Sequence, residues 1–234
     1  MEIIGRTIGD VWTPALRRII SMGDIKYIPH HNQYVVELDE PLMLSVSHPL
    51  EDIIPEGSGW NKYQLELYAD QYLEPFNDRG FVYTYGSRLQ AFGQIHSVIN
   101  KLRNDPASRQ AVAITWRPVQ DNMSEYPPCM MLMDFKIYGD KISTAVYFRS
   151  NDMFQAWPQN FYGIAAMAKY ISTEVLGHID IGRITTISSA PHIYVSLITD
   201  ACILAYGLKD GMLEANKLFE RVNGVHFVDE GAIS

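Results

Sequence analysis

Residues 126–152 read YPPCMMLMDFKIYGDKISTAVYFRSND, with Gly139-Asp140 at the centre. Gly-Asp is a favoured two-residue hairpin loop. Taken as the turn, it pairs Tyr138 with Lys141, Ile137 with Ile142, Phe135 with Thr144, Met133 with Val146 and Met131 with Phe148. One largely apolar face results, and a one-residue slip would turn it to water. A long hairpin of this kind demands further strands or helices to cover that face. At its open end, strict pairing sets Cys129 opposite Ser150 and Met130 opposite Arg149. Thiol and guanidinium then fall on opposite faces, unless a β-bulge or a three-residue turn brings them onto one.

The remaining chain can supply that cover. Of 234 residues, 47% are hydrophobic, which is enough for a sizeable core. We expect helices over 12–23 (Pro14 in its first turn), 60–73, 88–106, 158–177 (stopped by Gly177) and 213–222. In the third of these, Phe92, Ile95, Ile99 and Leu102 share a face. Strands are expected over 33–46, 183–195 and, fully buried, 110–116, with PEGSGW (55–60) as a loop. Helices and strands are not in regular βαβ alternation. The expected class is α+β, with one large twisted sheet, mainly antiparallel or mixed, flanked by helices. Without repeats or linkers, residues 1–234 read as a single domain.

A formal net charge of −8 argues against nucleic acid and anionic membranes as partners, but leaves room for a small anion where arginines converge. No run reaches the roughly 18 apolar residues of a membrane helix. Glu2 and Asp10 stand where a signal peptide would be basic and then apolar, and two cysteines make no disulfide framework. A cytoplasmic protein is expected. No metal cluster, P-loop or dinucleotide fingerprint is present, so no metal is expected.

A thiolate is a nucleophile, and an adjacent cation is expected to pull Cys129 below the ordinary thiol value of about 8.5. The alternative is a buried structural cysteine beside an unrelated surface arginine. Cys202, in TDACILAYGL, has only apolar neighbours and reads as structural.

The sequence PPC, RSND twenty residues on, WPQNFYGIAAMAKYI, PHIY and the upstream YTYGSRLQAFGQIHSVINKLRNDPASRQ together resemble thymidylate synthase and its pyrimidine nucleotide hydroxymethylase relatives. PEGSGW and the short length look most like the archaeal-type branch. The resemblance spans residues 55–200. It implies a homodimer with sheets packed back to back, in which each site borrows arginines from the partner. The implied activity is folate-dependent one-carbon transfer to C5 of a pyrimidine nucleoside monophosphate. Methylation of dUMP to dTMP, with 5,10-methylenetetrahydrofolate as co-substrate, is the expected outcome. A 5-hydroxymethylase acting on dUMP, dCMP or CMP is the alternative, and a catalytically silent relative that binds nucleotide or a partner protein is the alternative of another class.

Carried over residue by residue, the resemblance makes Cys129 the nucleophile and Arg149 its neighbour, in contact with thiolate and phosphate. Ser150 meets the phosphate, and Arg109 reaches it across the dimer. Asn160 reads the base, one amide donor and one acceptor matching O4 and N3–H of uracil. His192 and Tyr194 hold the sugar hydroxyl, Asp152 contacts folate, and Tyr85 is the active-site tyrosine. The general base falls on Glu66, with Gln64 in a competing register. Trp60 and Trp157 stand in for the tryptophans of the folate wall. The chain departs from the pattern at Gln110 (usually a second arginine), Met130 (usually histidine) and Ala156 (usually glycine). It has no N-terminal phosphate-loop arginine, and the final DEGAIS does not match the family's aliphatic lid.

Overall fold

The chain begins with β1 (Glu2–Gly5), α1 (Ile8–Met22), β2 (Asp24–Ile28), a 3-10 turn (Pro29–His31), β3 (Gln33–Glu37) and β4 (Leu42–Val46). After a loop come α2 (Lys62–Leu73), α3 (Tyr85–Leu89), α4 (Gln94–Asn104), β5 (Val112–Ile114) and α5 (Pro118–Asp121). The hairpin follows as β6 (Met130–Tyr138) and β7 (Lys141–Phe148), then β8 (Asn151–Asp152) and α6 (Ala156–Leu176). The chain closes with β9 (Ile181–Ser188), β10 (Pro191–Tyr194), α7 (Ile198–Tyr206) and α8 (Leu208–Gly231). This computed structural model describes residues 1–76 and 80–231, with side chains to residue 224. The end of DEGAIS therefore lies outside the described residues.

The α+β class holds, and the strands form two mixed sheets. The larger runs β1-β4-β9-β7-β6-β5 and the smaller β2-β3-β10-β8. In the larger, β1 with β4 and β7 with β9 are parallel, and the other neighbours antiparallel. Its inner face carries Met133, Phe135, Ile142, Val146, Phe148 and Ile184, all buried. That face packs on α6, which contributes Phe161, Ile164, Ala168 and Ile171 and also touches α2 and α4. Its outer face carries Leu132, Asp134, Ala145, Tyr147, Thr185 and Ile187, all half-buried.

Several sequence expectations need correction. Helix α1 begins at Ile8, because Thr7 and Asp10 form a capping box in which each side chain takes the other's backbone N–H. Pro14 therefore lies inside the helix. The expected 88–106 helix is broken at Phe92 and Gly93, both left-handed at φ 58° and 68°. Phe92 is 93% exposed and shares no face with Ile95. The 110–116 strand is a sheet edge, β5, with only Ala113 of its three residues buried. The 183–195 strand is two strands, each in a different sheet. Helix α7 was not anticipated, and the closing helix starts earlier, at Leu208.

The hairpin register holds from Tyr138–Lys141 to Leu132–Tyr147. Beyond that, Met130 and not Met131 pairs with Phe148, leaving Met131 as the extra residue of a bulge. Past the bulge Cys129 faces Arg149, not Ser150: the Arg149 N–H donates to the Cys129 carbonyl at 2.9 Å.

Candidate active site

Pro127 and Pro128 have no backbone hydrogen to give, but their carbonyls are free to accept. Arg149 uses both, donating from Nε to Pro128 O at 2.9 Å and from Nη2 to Pro127 O at 2.8 Å. The guanidinium is thereby aimed at Cys129, with Nη2 3.9 Å from Sγ. Cys129 is half-buried. Burial pushes its thiol above the usual value, Arg149 pulls it down, and Asp152 pushes it up again. The net direction is upward, which reverses the expectation from the arginine alone. Desolvation penalises the thiolate more than one cation, shared with two carbonyls, relieves it.

Four tyrosines pack behind the thiol. Tyr72 lies 4.9 Å from Tyr85 and 5.9 Å from Tyr68, and Tyr83 lies 5.8 Å from Tyr85 (ring centroids). The Tyr85 hydroxyl accepts the Met130 N–H at 3.3 Å. Burial holds all four phenols protonated, Tyr83 at about 12. Asn160, on α6, accepts at Oδ1 from Tyr68 (2.6 Å) and Tyr72 (3.1 Å).

A hollow of about 330 Å³ opens beside Arg149 and is also lined by Ser150, His192, Tyr194, His30 and His31. His192 Nδ1 lies 3.1 Å from the Ala190 carbonyl. A carbonyl only accepts, so Nδ1 carries the hydrogen and, in the neutral ring, Nε2 is left as an acceptor. The Arg149 Nη1 makes no hydrogen bond among the described residues. Glu37, paired with Lys26 at 2.6 Å, and Glu125 also line the hollow, and against them one free donor edge, a serine hydroxyl and imidazoles are the groups that suit an anion with an attached hydroxyl-bearing group.

Asp152 begins the approach to α6. Its Oδ1 accepts from the Phe154 N–H (3.0 Å) and the Gln155 N–H (3.1 Å), so it shapes this turn. Burial raises its pKa, against the pull of those amides and His192. Past the turn, Trp60, Phe154, Leu197, Ile203 and Leu204 wall a second cleft of about 570 Å³, with Gln64, Gln155 and Asp200 as its polar edge. Trp60 Nε1 donates to the Gln155 carbonyl at 3.3 Å. An apolar slot with one indole and a few polar groups fits a flat heterocycle of the folate kind.

Three expected residues stand elsewhere. Trp157 is fully buried, its Nε1 donating to Thr186 Oγ1 at 2.9 Å, so it belongs to the core and offers no face to a ligand. Glu66 is exposed on α2 and bridged to Lys62 at 3.6 Å, far from a general base's surroundings. Gln64, the competing register, is at the edge of the second cleft but caps its own helix through the Asn61 N–H. Arg109 lies on an exposed loop beside His96 and Asn100, in a separate hollow. Sequence reading also missed His30 and His31, which sit where little of the pattern matched, and Tyr68, Tyr72 and Tyr83. The i,i+4 spacing of Tyr68 and Tyr72 was the available signal for a shared face.

The profile of the family described as thymidylate synthase matches residues 55–209. Methanosarcina barkeri has a protein named "Putative thymidylate synthase" that is 39% identical over 193 residues, covering 81% of this chain and 87% of its own. The Methanosarcina acetivorans protein of that name is 37% identical over 196 residues (82% and 88%). That of Methanothermobacter thermautotrophicus is 42% identical over 144 residues (60% and 64%).

Proposed function

This chain belongs to the thymidylate synthase family, and from that premise we propose that it methylates dUMP at C5 to give dTMP. The observation that carries the reading is Cys129 Sγ 3.9 Å from Arg149, whose side chain also lines the hollow shared with Ser150, His192 and Tyr194. The phosphate meets the open edge of Arg149 and Ser150, and His192 and Tyr194 take the sugar hydroxyl. Cys129 Sγ adds to C6 of the base. The C5–C6 π pair shifts toward C5 and O4, where Asn160 donates to the developing charge. C5 becomes the nucleophile.

Methylenetetrahydrofolate, bound along Trp60 and Phe154, supplies the one-carbon unit and, for a methyl product, the hydride. Asp152, at the turn between thiol and cleft, contacts it. With Glu66 outside the site, Tyr85 and Asp152 are the acid–base groups beside the thiol, and they share the handling of the C5 proton. The outer face of the larger sheet is the homodimer surface, across which Arg109 completes the phosphate site. Both cysteines are free and no helix of the described residues is long and apolar enough to cross a membrane. The cytoplasm is the proposed setting.

A 5-hydroxymethyl product is the second reading. One observation favours it: Trp157 is withdrawn into the core, so Trp60 is the only indole on the cleft wall, and excluding water is a task for such walls. Incubation with dUMP and methylenetetrahydrofolate separates the two. dTMP with dihydrofolate absorbance is expected; 5-hydroxymethyl-dUMP without it would replace the first reading by the second.

A further inference from the structure

Strand β6 is bulged against β7 but not against β5. Toward β5 the ladder runs without a slip from Val112–Asp134 to Ile114–Leu132. The next rung is the Thr115 N–H, which donates to the Met131 carbonyl at 2.9 Å. Met131, the residue left over toward β7, is therefore anchored from the other side by Thr115. The threonine side chain adds a second hold, its Oγ1 donating to the Met130 carbonyl. The Met130 N–H is taken by the Tyr85 hydroxyl at 3.3 Å. Two side-chain hydroxyls from different elements thus grip both polar backbone groups of the residue after Cys129. Thr115 and Met130 are fully buried, so water does not replace the bond between them when it is lost. The next residue, Trp116, is half-buried, and its ring centroid lies 6.0 Å from the guanidinium carbon of Arg149, at the reach of a cation–π contact. Adjacent residues therefore touch the two partners separately: Thr115 the strand that carries the thiol, Trp116 the cation.

We propose that Thr115 and Trp116 are positioning residues for the nucleophile: Thr115 holds the bulge that turns Cys129 to Arg149, and Trp116 backs the guanidinium. Together they set how closely the cation approaches the thiol. The proposal rests on the reading of Cys129 as the nucleophile, but it concerns the free protein and needs no substrate. Arg149 Nη2 stands 3.9 Å from Sγ, a loose contact that a small shift on either side would break. A thiolate must also sit in one place to reach C6, and a misplacement of about 1 Å costs up to about 100-fold in rate.

The test follows iodoacetamide alkylation against pH, read on the Cys129 peptide by mass, with kcat and KM for C5 tritium release from dUMP. The proteins are wild type, Thr115→Val, Thr115→Ser, Trp116→Leu, Arg149→Met, and Arg149→Met combined with Thr115→Val or Trp116→Leu. Arg149 lowers the thiol and Asp152 raises it, and the phenols of Tyr68, Tyr83, Tyr85 and Tyr194 lie near enough to feel its charge. Thr115→Val and Trp116→Leu delete none of these groups. Each is expected to move the alkylation midpoint up, toward that of Arg149→Met, and adding Arg149→Met should then move it little further. Thr115→Val should also lower kcat about tenfold with KM within about threefold. Thr115→Ser keeps the hydroxyl and should restore both midpoint and kcat. A loss of stability alone would not move the midpoint. Should Thr115→Val not fold, Trp116→Leu, at a half-buried position, carries the test. An unchanged midpoint in a folded single variant overturns that residue's role, and an Arg149→Met shift of full size in both backgrounds overturns the proposal. Wild type that releases no tritium from dUMP sinks the dUMP reading instead, and the alkylation midpoints still decide this one.

Discussion

Two arginines in this chain have opposite fates. Arg88 is 3% exposed and is held bidentately by Asp121, at 3.1 Å and 2.8 Å. Its plane also lies 5.4 Å from the Tyr83 ring centroid. Asp121 in turn accepts the Arg117 N–H at 2.6 Å. Charge and donors are spent within the protein, and this pair pins the chain that leads to Pro127. Arg149 is half-buried; among the described residues its guanidinium bonds to two carbonyls and, distantly, a thiol, and lies 6.0 Å from the Trp116 ring centroid. Among the described residues no carboxylate forms an ion pair with it, although Glu37 and Glu125 line the same hollow. Burying a cation without its counter-charge costs stability, so an arginine held this way points to a ligand that brings the missing charge.

The largest effect should come at the thiol that Arg149 faces. Cys129→Ser is expected to lower C5 tritium release by more than 1000-fold, with thermal stability little changed. Cys202→Ala should stay within a few-fold of wild type. Cys202 is fully buried and its thiol lifted to about 11 by burial. Equal losses would end the assignment. Next is Arg88→Met, expected to destabilise by about 3–5 kcal/mol because it strands the buried Asp121 carboxylate. Urea unfolding measures it. Arg88→Met/Asp121→Leu should recover part of that loss, though not all, because the Arg117 N–H loses its acceptor. Arg149→Met should do the reverse, keeping the fold and losing activity. If both arginine variants fail in the same assay, the comparison is void.

The hairpin was legible because its signal is local: Gly-Asp fixes the turn, and alternation fixes the faces. The bulge at Met131 was not, because residues 131–133 are apolar whichever way they point, and it alone moves Cys129 from Ser150 to Arg149. The upward push on the thiol was hidden for another reason. Spacing along the chain brings an arginine near, but burial and Asp152 come from tertiary packing. Trp157 shows the limit of reading by residue type. The indole of Trp157, expected on the folate wall, turns inward on α6, because that helix's first turn already faces the sheet. His30 and His31 come from a 3-10 turn that carries no catalytic motif, and only the fold places them against Arg149.

Those histidines give the third test. If the anion end rests on Arg149 together with this turn, His30→Ala/His31→Ala should raise the KM for dUMP about tenfold, roughly 1.4 kcal/mol of binding, with kcat within threefold. A drop in kcat at constant KM would place the turn outside the phosphate site. Arg88→Met has no reason to produce this split between KM and kcat.

The smallest effect is on titration, and it asks how much Arg149 does for the thiol. Burial and Asp152 raise the Cys129 thiol, and Arg149 lowers it. The thiolate fraction of the free protein therefore grows as pH rises and reaches half only above the ordinary thiol value. Alkylation by iodoacetamide, followed by intact mass from pH 6 to 11, should accelerate to a midpoint above about 8.5. Arg149→Met removes the lowering influence and should move that midpoint further up, whereas Asp152→Asn removes a raising one and should move it down. Arg88 does not act on Cys129 in the structure, so Arg88→Met, if folded, should leave the midpoint in place. A wild-type midpoint below 8.5 would mean that the guanidinium outweighs burial, and that the difference between the two arginines is larger than the geometry allows.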